Sequence, residues 1–194
     1  MFTVKLEAAD RPALREHFLA LDAHDRYLRF GGSVGERAIA HYIEHIDFGR
    51  DALFGVMSDS RHFDGIAHLA LDHEYAELGL SVLQHYRGRG IGTALVSRAS
   101  VHARNRHINV LFMQCLSQNR AIMRIAGTLG MHVVTQGPDS KASMALSPAS
   151  RLSIFSEWVD ERIALCDAAL RDTVLRRSSA LPSVLAAAEH SAAA

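Results

Sequence analysis

A short segment rich in glycine and arginine is the part of this sequence whose residue types and spacing best fit a chemical role. It lies between an alternating apolar segment, residues 74–82, and a helical pattern that begins at Ile91. Glycine lets the backbone adopt positive φ and approach a ligand closely, and the free N–H groups at the start of a helix bind anions. Because two arginines add positive charge, we expect this turn to bind a phosphate or a pyrophosphate. The segment reads Arg87-Gly88-Arg89-Gly90-Ile91-Gly92.

The glycine spacing decides between the known phosphate-binding motifs. Gly88, Gly90 and Gly92 fall one residue short of the dinucleotide pattern Gly-x-Gly-x-x-Gly, and the Gly-Lys-Ser/Thr of a Walker loop is absent. The pattern that fits is Arg/Gln-x-x-Gly-x-Gly, formed by Arg87, Gly90 and Gly92. With Val82 upstream, residues 82–92 resemble the acyl-CoA pyrophosphate loop of the GNAT acetyltransferase superfamily. The alternative is a tight turn with a purely structural role.

A second segment supports this resemblance. The apolar run 108–116 suits a buried strand, and Asn119 then precedes a helical stretch that ends at Gly130-Met131. Members of the superfamily have an asparagine after this strand that contacts the pantetheine arm, followed by a helix that ends in Gly-Phe. Asn119 is equally suited to cap the helix and do nothing more.

The resemblance implies acetyl-CoA as the co-substrate. Backbone groups of Val82 and Leu83 would contact the pantetheine arm, while the loop and Thr93 would hold the pyrophosphate. The cofactor-binding residues implied in this way are Val82, Leu83, Arg87, Gly88, Arg89, Gly90, Ile91, Gly92, Thr93 and Asn119.

The sequence departs from the superfamily at one chemically important position. Many members have a tyrosine four residues before the glycine that ends the helix, where it protonates the leaving thiolate, but this chain has Ala126 there. The segments 119–126 and 27–31 look more like the branch that includes bacterial protein-lysine acetyltransferase domains. A tyrosine-based acid step is therefore not expected.

Acyl transfer to an amine requires a group that removes a proton from the amine. Glu77 is the first candidate, because it lies on the strand before the loop and we expect apolar surroundings that raise its pKa. His68 on the preceding strand is the second candidate. Ser117 and Cys115, near the end of the next strand, could protonate the thiolate. Each of these residues could instead have a structural role.

Apolar periodicity predicts an α/β (α+β) domain over residues 1–146. The order β-α-α-β-β-β-α-β-α-β-β is that of the GNAT fold, with a mixed central sheet of about seven strands flanked by helices. The predicted strands are 2–7, 52–57, 62–71, 74–82, 108–116, 131–135 and 141–146. The predicted helices are 10–22, about 35–47, 91–106 and 119–129, with a short segment at 24–30 and turns at 58–60 and 137–139.

A long helical extension is predicted for residues 147–178, followed by a flexible, alanine-rich tail at 179–194. A helix of roughly 30 residues is about 45 Å long, which is too long to pack wholly on one domain of this size. We expect part of it to pack on a second subunit in a homodimer, and the rival is a monomer with the helix folded back. Its apolar stripe consists of Phe155, Val159, Ile163, Cys166, Leu170 and Val174.

Composition and motifs argue against several classes of protein. The 21 basic and 21 acidic residues cancel, which argues against nucleic-acid binding through bulk charge. No apolar run approaches the length of a membrane span, and the N-terminus lacks a signal-peptide core, so a cytoplasmic protein with no membrane partner is expected. His41 and His45 are spaced like a metal pair, but Glu44 is misplaced for His-Glu-x-x-His, so no metal is expected.

Two function hypotheses follow. The first is an acetyl-CoA-dependent N-acetyltransferase that moves an acetyl group directly to a primary amine, on a small molecule or a protein lysine, in a ternary complex. The second is a GNAT-fold module that binds acyl-CoA with little catalysis and acts on a partner through its C-terminal helix.

Overall fold

The computed structural model describes residues 3–57, 62–150, 153–155, 157–159 and 162. In these ranges, strands and helices follow in the predicted order, and the segment predicted at 24–30 is a further helix. The predicted turn at 58–60, most of the predicted helix 147–178 and the predicted tail 179–194 lie outside the described residues. The strands are β1 (Thr3–Leu6), β2 (Ala52–Val56), β3 (Gly65–Asp72), β4 (Tyr75–Val82), β5 (Val110–Leu116), β6 (His132–Gln136) and β7 (Asp139–Ala145). The helices are α1 (Arg11–Ala20), α2 (Ala23–Phe30), α3 (Glu36–Glu44), α4 (Ile91–Asn105) and α5 (Arg120–Thr128).

The described strands form one sheet in the order β1-β2-β3-β4-β5-β7-β6. All neighbouring strands are antiparallel except β4 and β5, which are parallel. The exception follows from the connection, since α4 carries the chain back along the sheet before β5 begins. This arrangement confirms the predicted mixed sheet of seven strands with flanking helices.

Helices cover both faces of the sheet. On one face, α4 and α5 pack on side chains such as Phe54, Leu69 and Leu78, and on the other face α1 and α3 pack on Leu53 and Ile66. Side chains that alternate along a strand supply both cores. Within the described part of the chain, none of the helices combines the length and apolarity that a membrane crossing requires.

Helix α2 is defined at both ends by local chemistry. The Asp22 side chain accepts a hydrogen bond from the backbone N–H of Asp25, and Gly31 ends the helix with φ of 71°. An aspartate at the N-cap and a left-handed glycine after the last turn are the residues that favour these positions. The helix places Asp25, Leu28 and Arg29 beside the carboxyl ends of β4 and β5.

His17 attaches α1 to the sheet. Its Nδ1 lies 2.7 Å from the carbonyl oxygen of Phe63, and its Nε2 lies 2.8 Å from Ser81 Oγ. Burial lowers the pKa of His17 to about 4. The ring is therefore neutral near pH 7, with Nδ1–H donating to the carbonyl and Nε2 accepting from the hydroxyl.

The described residues beyond 150 are helical, at 153–155, 157–159 and 162, and we call them the C-terminal segment. Glu157 is buried against α4, where its Oε1 lies 2.5 Å from His102 Nδ1 and 3.0 Å from Arg98 Nη1. Its Oε2 accepts from Asn105 at 2.6 Å. This ionic cluster attaches the C-terminal segment to the back of α4.

Candidate active site

The central strands separate at their carboxyl ends. Parallel pairing between β4 and β5 joins residues 75–77 to residues 110–112 and extends no further. Ligands of open α/β sheets bind where strands diverge at their carboxyl ends. Two cavities occupy this position here.

The first, which we call the loop cavity, has a volume of about 510 Å³ and lies between the glycine loop, α2, the first turn of α4 and one side of α5. The second, the strand cavity, measures about 660 Å³ and lies between the end of α2 and strands β4 to β7. The two share lining residues, so they meet at the gap between β4 and β5. The shared residues are Leu28, Arg29, Leu80, Asn119 and Ile122.

The glycine loop has the geometry of an anion site. Gly88 and Gly90 have φ of 74° and 81°, and a Cβ added to either would meet no atom within 4 Å. Gly90 is the N-cap of α4, so no cap side chain accepts from the N–H groups of the first turn. These donors and the positive end of the 15-residue helix are thus available to a ligand in the loop cavity.

Arg87 is held in place by the fold. Its Nε donates to the carbonyl oxygen of Val82 at 3.0 Å, and its Nη2 lies 2.6 Å from Oδ2 of the buried Asp25 on α2. Sequence reasoning missed Asp25, because only the packing of α2 brings it to the loop.

Further basic residues line the same cavity. Arg120 and Arg124 lie one turn apart on α5, close to the loop. The two arginines follow Asn119 and are four residues apart, which places them on one face of the helix. This spacing is the signal that could have identified them. Gly92 has a different role from Gly88 and Gly90, because a Cβ there would lie 2.6 Å from Cδ1 of Ile125, so the glycine lets the Ile125 side chain pack closely against α4.

Two predicted cofactor residues lie outside both cavities. The Leu83 N–H donates to the carbonyl oxygen of Asp64 at 2.9 Å, and its side chain packs on the α1–α3 core. The Arg89 guanidinium lies over the ring of Tyr86, 5.3 Å from its centroid. The remaining predicted cofactor residues line the loop cavity: Val82, Arg87, Gly88, Gly90, Ile91, Gly92, Thr93 and Asn119.

Asn119 caps α5, since its Oδ1 accepts from the backbone N–H of Ile122 at 3.2 Å. The residue is buried and lines both cavities. The capping role is therefore present, and the position also suits a ligand that passes between the cavities.

Glu77 lines the strand cavity and forms the last β4–β5 pair with Phe112. Its side chain is exposed, whereas Ala76 and Leu78 point into the core. The expectation that Glu77 has apolar surroundings is therefore wrong. Side chains alternate along a strand, so Glu77 points to the opposite face from Ala76 and Leu78.

His68 lines neither cavity. Both of its ring nitrogens have partners: Nδ1 lies 2.5 Å from the Tyr42 hydroxyl, and Nε2 lies 3.1 Å from Asp51 Oδ2. Burial lowers the pKa of His68, although the hydrogen bond with Asp51 opposes this effect.

The candidate acids for the thiolate are differently placed. The Ser117 hydroxyl donates to the carbonyl oxygen of Gly137 at 3.1 Å, in the turn between β6 and β7, and lines neither cavity. Cys115 lines the strand cavity, and burial raises the pKa of its thiol. Ala126 is fully buried in the core beneath α5.

The two histidines for which no metal is expected lie at the C-terminal end of α3, where His45 is the residue that follows the helix, and their rings are tilted by 39°. The rings of His41 and His45 lie 3.9 Å apart, and the Nδ1 of His45 bonds to the carbonyl oxygen of His41. Among the described residues, no group of three or more His, Cys, Asp or Glu side chains is arranged to hold a metal ion.

Solved structures of similar fold carry the same architecture. The GNAT domain of S. lividans PAT has a TM-score of 0.65 at 16% identity, covering 74% of this chain and 89% of that one. Salmonella typhimurium yncA with its cofactor acetyl-CoA has a TM-score of 0.60 at 18% identity, with coverages of 77% and 96%. The Escherichia coli ribosomal-protein-S18-alanine N-acetyltransferase has a TM-score of 0.57 at 17% identity, also with coverages of 77% and 96%.

No curated protein sequence matches this chain significantly. The family model of the GNAT acetyltransferase family, in contrast, matches residues 16–131. This match includes the glycine loop, all five helices in whole or in part, and the strands that separate around the two cavities. Because it covers more than half of the chain, the protein belongs to the GNAT acetyltransferase family.

Proposed function

We propose that the protein transfers an acetyl group from acetyl-CoA directly to a primary amine in a ternary complex. The observation that carries this proposal is the meeting of the loop cavity and the strand cavity between β4 and β5. A donor in one cavity and an acceptor in the other would place their reacting atoms together, which is the main requirement for transfer between two bound substrates.

The loop cavity is the proposed acetyl-CoA site. The uncapped N–H groups of α4 and the side chains of Arg87, Arg120 and Arg124 suit the pyrophosphate. The Val82 backbone lies along the edge of β4 that β5 leaves unpaired, which suits the amide groups of the pantetheine arm. Asn119 lies where that arm would pass toward the strand cavity.

The strand cavity is the proposed acceptor site. Its exposed rim contains Glu77, Gln114, Gln136 and Lys141, and it is open enough for an amine on a small molecule or on a protein lysine. The amine nitrogen attacks the thioester carbonyl carbon, and its proton passes to Glu77 directly or through a water. The carbon–sulfur bond then breaks, and the CoA thiolate takes a proton from solvent.

A pair of glycine substitutions tests the acetyl-CoA site. Gly90→Ala places a methyl group in the space above the loop and strains a backbone with φ of 81°. We expect about tenfold weaker acetyl-CoA binding by calorimetry, equivalent to about 1.4 kcal/mol. Gly130→Ala is the matched control, since Gly130 also has positive φ and open space but lines neither cavity. Equal affinities for wild type and a folded Gly90→Ala protein would refute the site.

Thiol release from acetyl-CoA with a panel of amines tests the transfer step. Amine-dependent release supports an enzyme that uses a ternary complex. Acetyl-CoA binding without release under any amine would instead support a module that binds acyl-CoA and acts through its C-terminal helix.

The oligomeric state and the cellular location complete the proposed function. We propose a homodimer, supported by the exposed side chains of Ile154, Phe155 and Trp158 on the C-terminal segment. A cytoplasmic location, where acetyl-CoA is available, remains a prediction from the sequence.

A further inference from the structure

Arg29, in the last turn of α2, lies at the junction of the two cavities and lines both. Its guanidinium group lies close against Gly79 of β4, just past the last β4–β5 pair. A Cβ on residue 79 would lie 2.2 Å from Arg29 Nη2 and 2.4 Å from Cζ. The glycine thus allows a cation to reach the gap between the strands.

The charge of Arg29 has no anionic partner in the described part of the chain, since no carboxylate there lies within 4.0 Å of its guanidinium. Aromatic rings surround it instead, with Phe30, Tyr42 and Phe18 at 5.1, 5.8 and 6.0 Å. Its Nε is buried without a hydrogen-bond partner. Contact with the faces of these rings stabilises the cation but supplies no negative charge, so the site suits a ligand that brings one.

A directional chain of hydrogen bonds fixes the guanidinium. Arg29 Nη2 donates to the Tyr42 hydroxyl oxygen at 3.0 Å, and that hydroxyl donates to Nδ1 of His68 at 2.5 Å. His68 Nε2–H then donates to Asp51 Oδ2 at 3.1 Å, and Arg50 Nε donates to Asp51 Oδ1 at 2.7 Å. Each donor meets an acceptor only if His68 is neutral.

The ionisation states of His68 and Asp51 agree with this direction of hydrogen bonding. Burial lowers the pKa of His68, which favours the neutral ring. Burial works to raise the pKa of Asp51, but the hydrogen bonds from Arg50 and His68 hold it below its usual value. The carboxylate therefore accepts at one end of the chain, and the guanidinium is held at the other.

We propose that Arg29 stabilises the negative charge that develops on the thioester carbonyl oxygen when the amine attacks. Tyr42, His68 and Asp51 are positioning residues that hold the guanidinium toward that oxygen. This inference rests on the proposed function. The amine electron pair forms the N–C bond and the carbonyl π electrons move to oxygen. When they return, the C–S bond breaks and the thiolate leaves, while Arg29 keeps all its protons.

Two stable CoA thioethers test this assignment without a known acceptor. S-carboxymethyl-CoA carries a carboxylate at the acetyl position, and S-ethyl-CoA is a neutral analogue of similar size. We expect calorimetry to show that the wild-type protein binds the carboxymethyl compound about tenfold more tightly, because hydrogen bonds between two charged groups are stronger than those to a neutral group. Arg29→Met should abolish this preference and leave S-ethyl-CoA affinity unchanged, which also shows that the variant is folded.

Three further variants distinguish the charge at residue 29, the position of that charge and general effects on CoA binding. Arg29→Lys should keep part of the preference. Tyr42→Phe retains the cation but removes its anchor, and should reduce both the preference and kcat while the KM for acetyl-CoA stays constant. Arg124→Met removes a cation that lines only the loop cavity, so both ligands should weaken equally.

The outcomes distinguish the two proposals. Failure of both thioethers to bind the wild-type protein would overturn the proposed function. Binding of both with equal affinity, or a preference that survives Arg29→Met, would overturn the role of Arg29 alone.

Discussion

Glu77 and Arg29 reach the strand cavity from different elements and carry opposite charges. A carboxylate can accept a proton from the attacking amine, and a fixed cation can stabilise the oxyanion. Glu77 is therefore suited to accept the proton that the amine loses, and Arg29 is suited to stabilise the negative charge on the carbonyl oxygen. In the described part of the chain neither side chain has an ion-pair partner, so both remain available to substrates.

At the residue scale, Glu77→Gln tests the base. We expect turnover to fall by about 10²–10⁴-fold, the usual contribution of a general base, while acetyl-CoA affinity stays nearly constant. The acidic limb of the pH–rate profile should disappear, because the amide does not titrate. Glu74→Gln is the matched control, since Glu74 is exposed just before β4 and lines neither cavity. Wild-type turnover in Glu77→Gln would exclude this role.

At the scale of elements, the buried carboxylate of Glu157 attaches the C-terminal segment to α4, alongside hydrogen bonds between Ser153 and Asn105. Burial opposes ionisation of Glu157, but hydrogen bonds from His102, Asn105 and Arg98 lower its pKa. A carboxyl group whose pKa is lower in the docked state stabilises docking at pH above its free value, about 4.3. This contribution is lost as pH falls through the docked pKa.

Glu157→Gln should therefore loosen the C-terminal segment near pH 7. The amide keeps some hydrogen bonds, but it leaves Arg98 buried beside a neutral group, at an expected cost of about 2 kcal/mol. Hydrogen exchange of amides in residues 153–155 and 157–159 should accelerate by about 30-fold, while exchange in β3 and β4 stays constant. Glu36→Gln is the control, because Glu36 forms an exposed ion pair with Arg15. Unchanged exchange in Glu157→Gln would show that the carboxylate does not anchor the segment.

At the scale of the whole molecule, the C-terminal segment exposes a large apolar surface. Ile154, Phe155 and Trp158 are 54%, 62% and 54% exposed, and the two aromatic rings stack with centroids 6.2 Å apart. Exposed apolar patches of this kind mark interaction surfaces. A twofold dimer, the commonest closed assembly, would cover them.

Sedimentation equilibrium at micromolar concentration tests the dimer. We expect twice the chain mass of 21.3 kDa, and the monomer after truncation at Pro148. Phe155→Ser with Trp158→Ser should weaken association without lowering acetyl-CoA affinity, since neither residue lines a cavity. A species of 21.3 kDa for the full chain would contradict the proposal.

Features that depend on neighbouring residues could be predicted from the sequence. The loop at 87–92, the cap at Asn119 and the helix end at Gly130 follow from backbone freedom and from side chains that bond within a turn. The order of strands and helices along the chain follows from apolar periodicity. The resemblance of residues 82–92 to the GNAT loop then implied the mixed sheet and the cofactor loop.

Which distant residues share a site became visible from the packing of helices and strands. Arg29 reaches Gly79 because α2 packs over the gap between β4 and β5, and His68 lies beside it because β3 and β4 pair in that register. Sequence position did not reveal that the Leu83 N–H is already bonded or that Glu77 is exposed. Such contacts join residues far apart in the chain, and their geometry is fixed when helices and strands pack, so no local pattern encodes them.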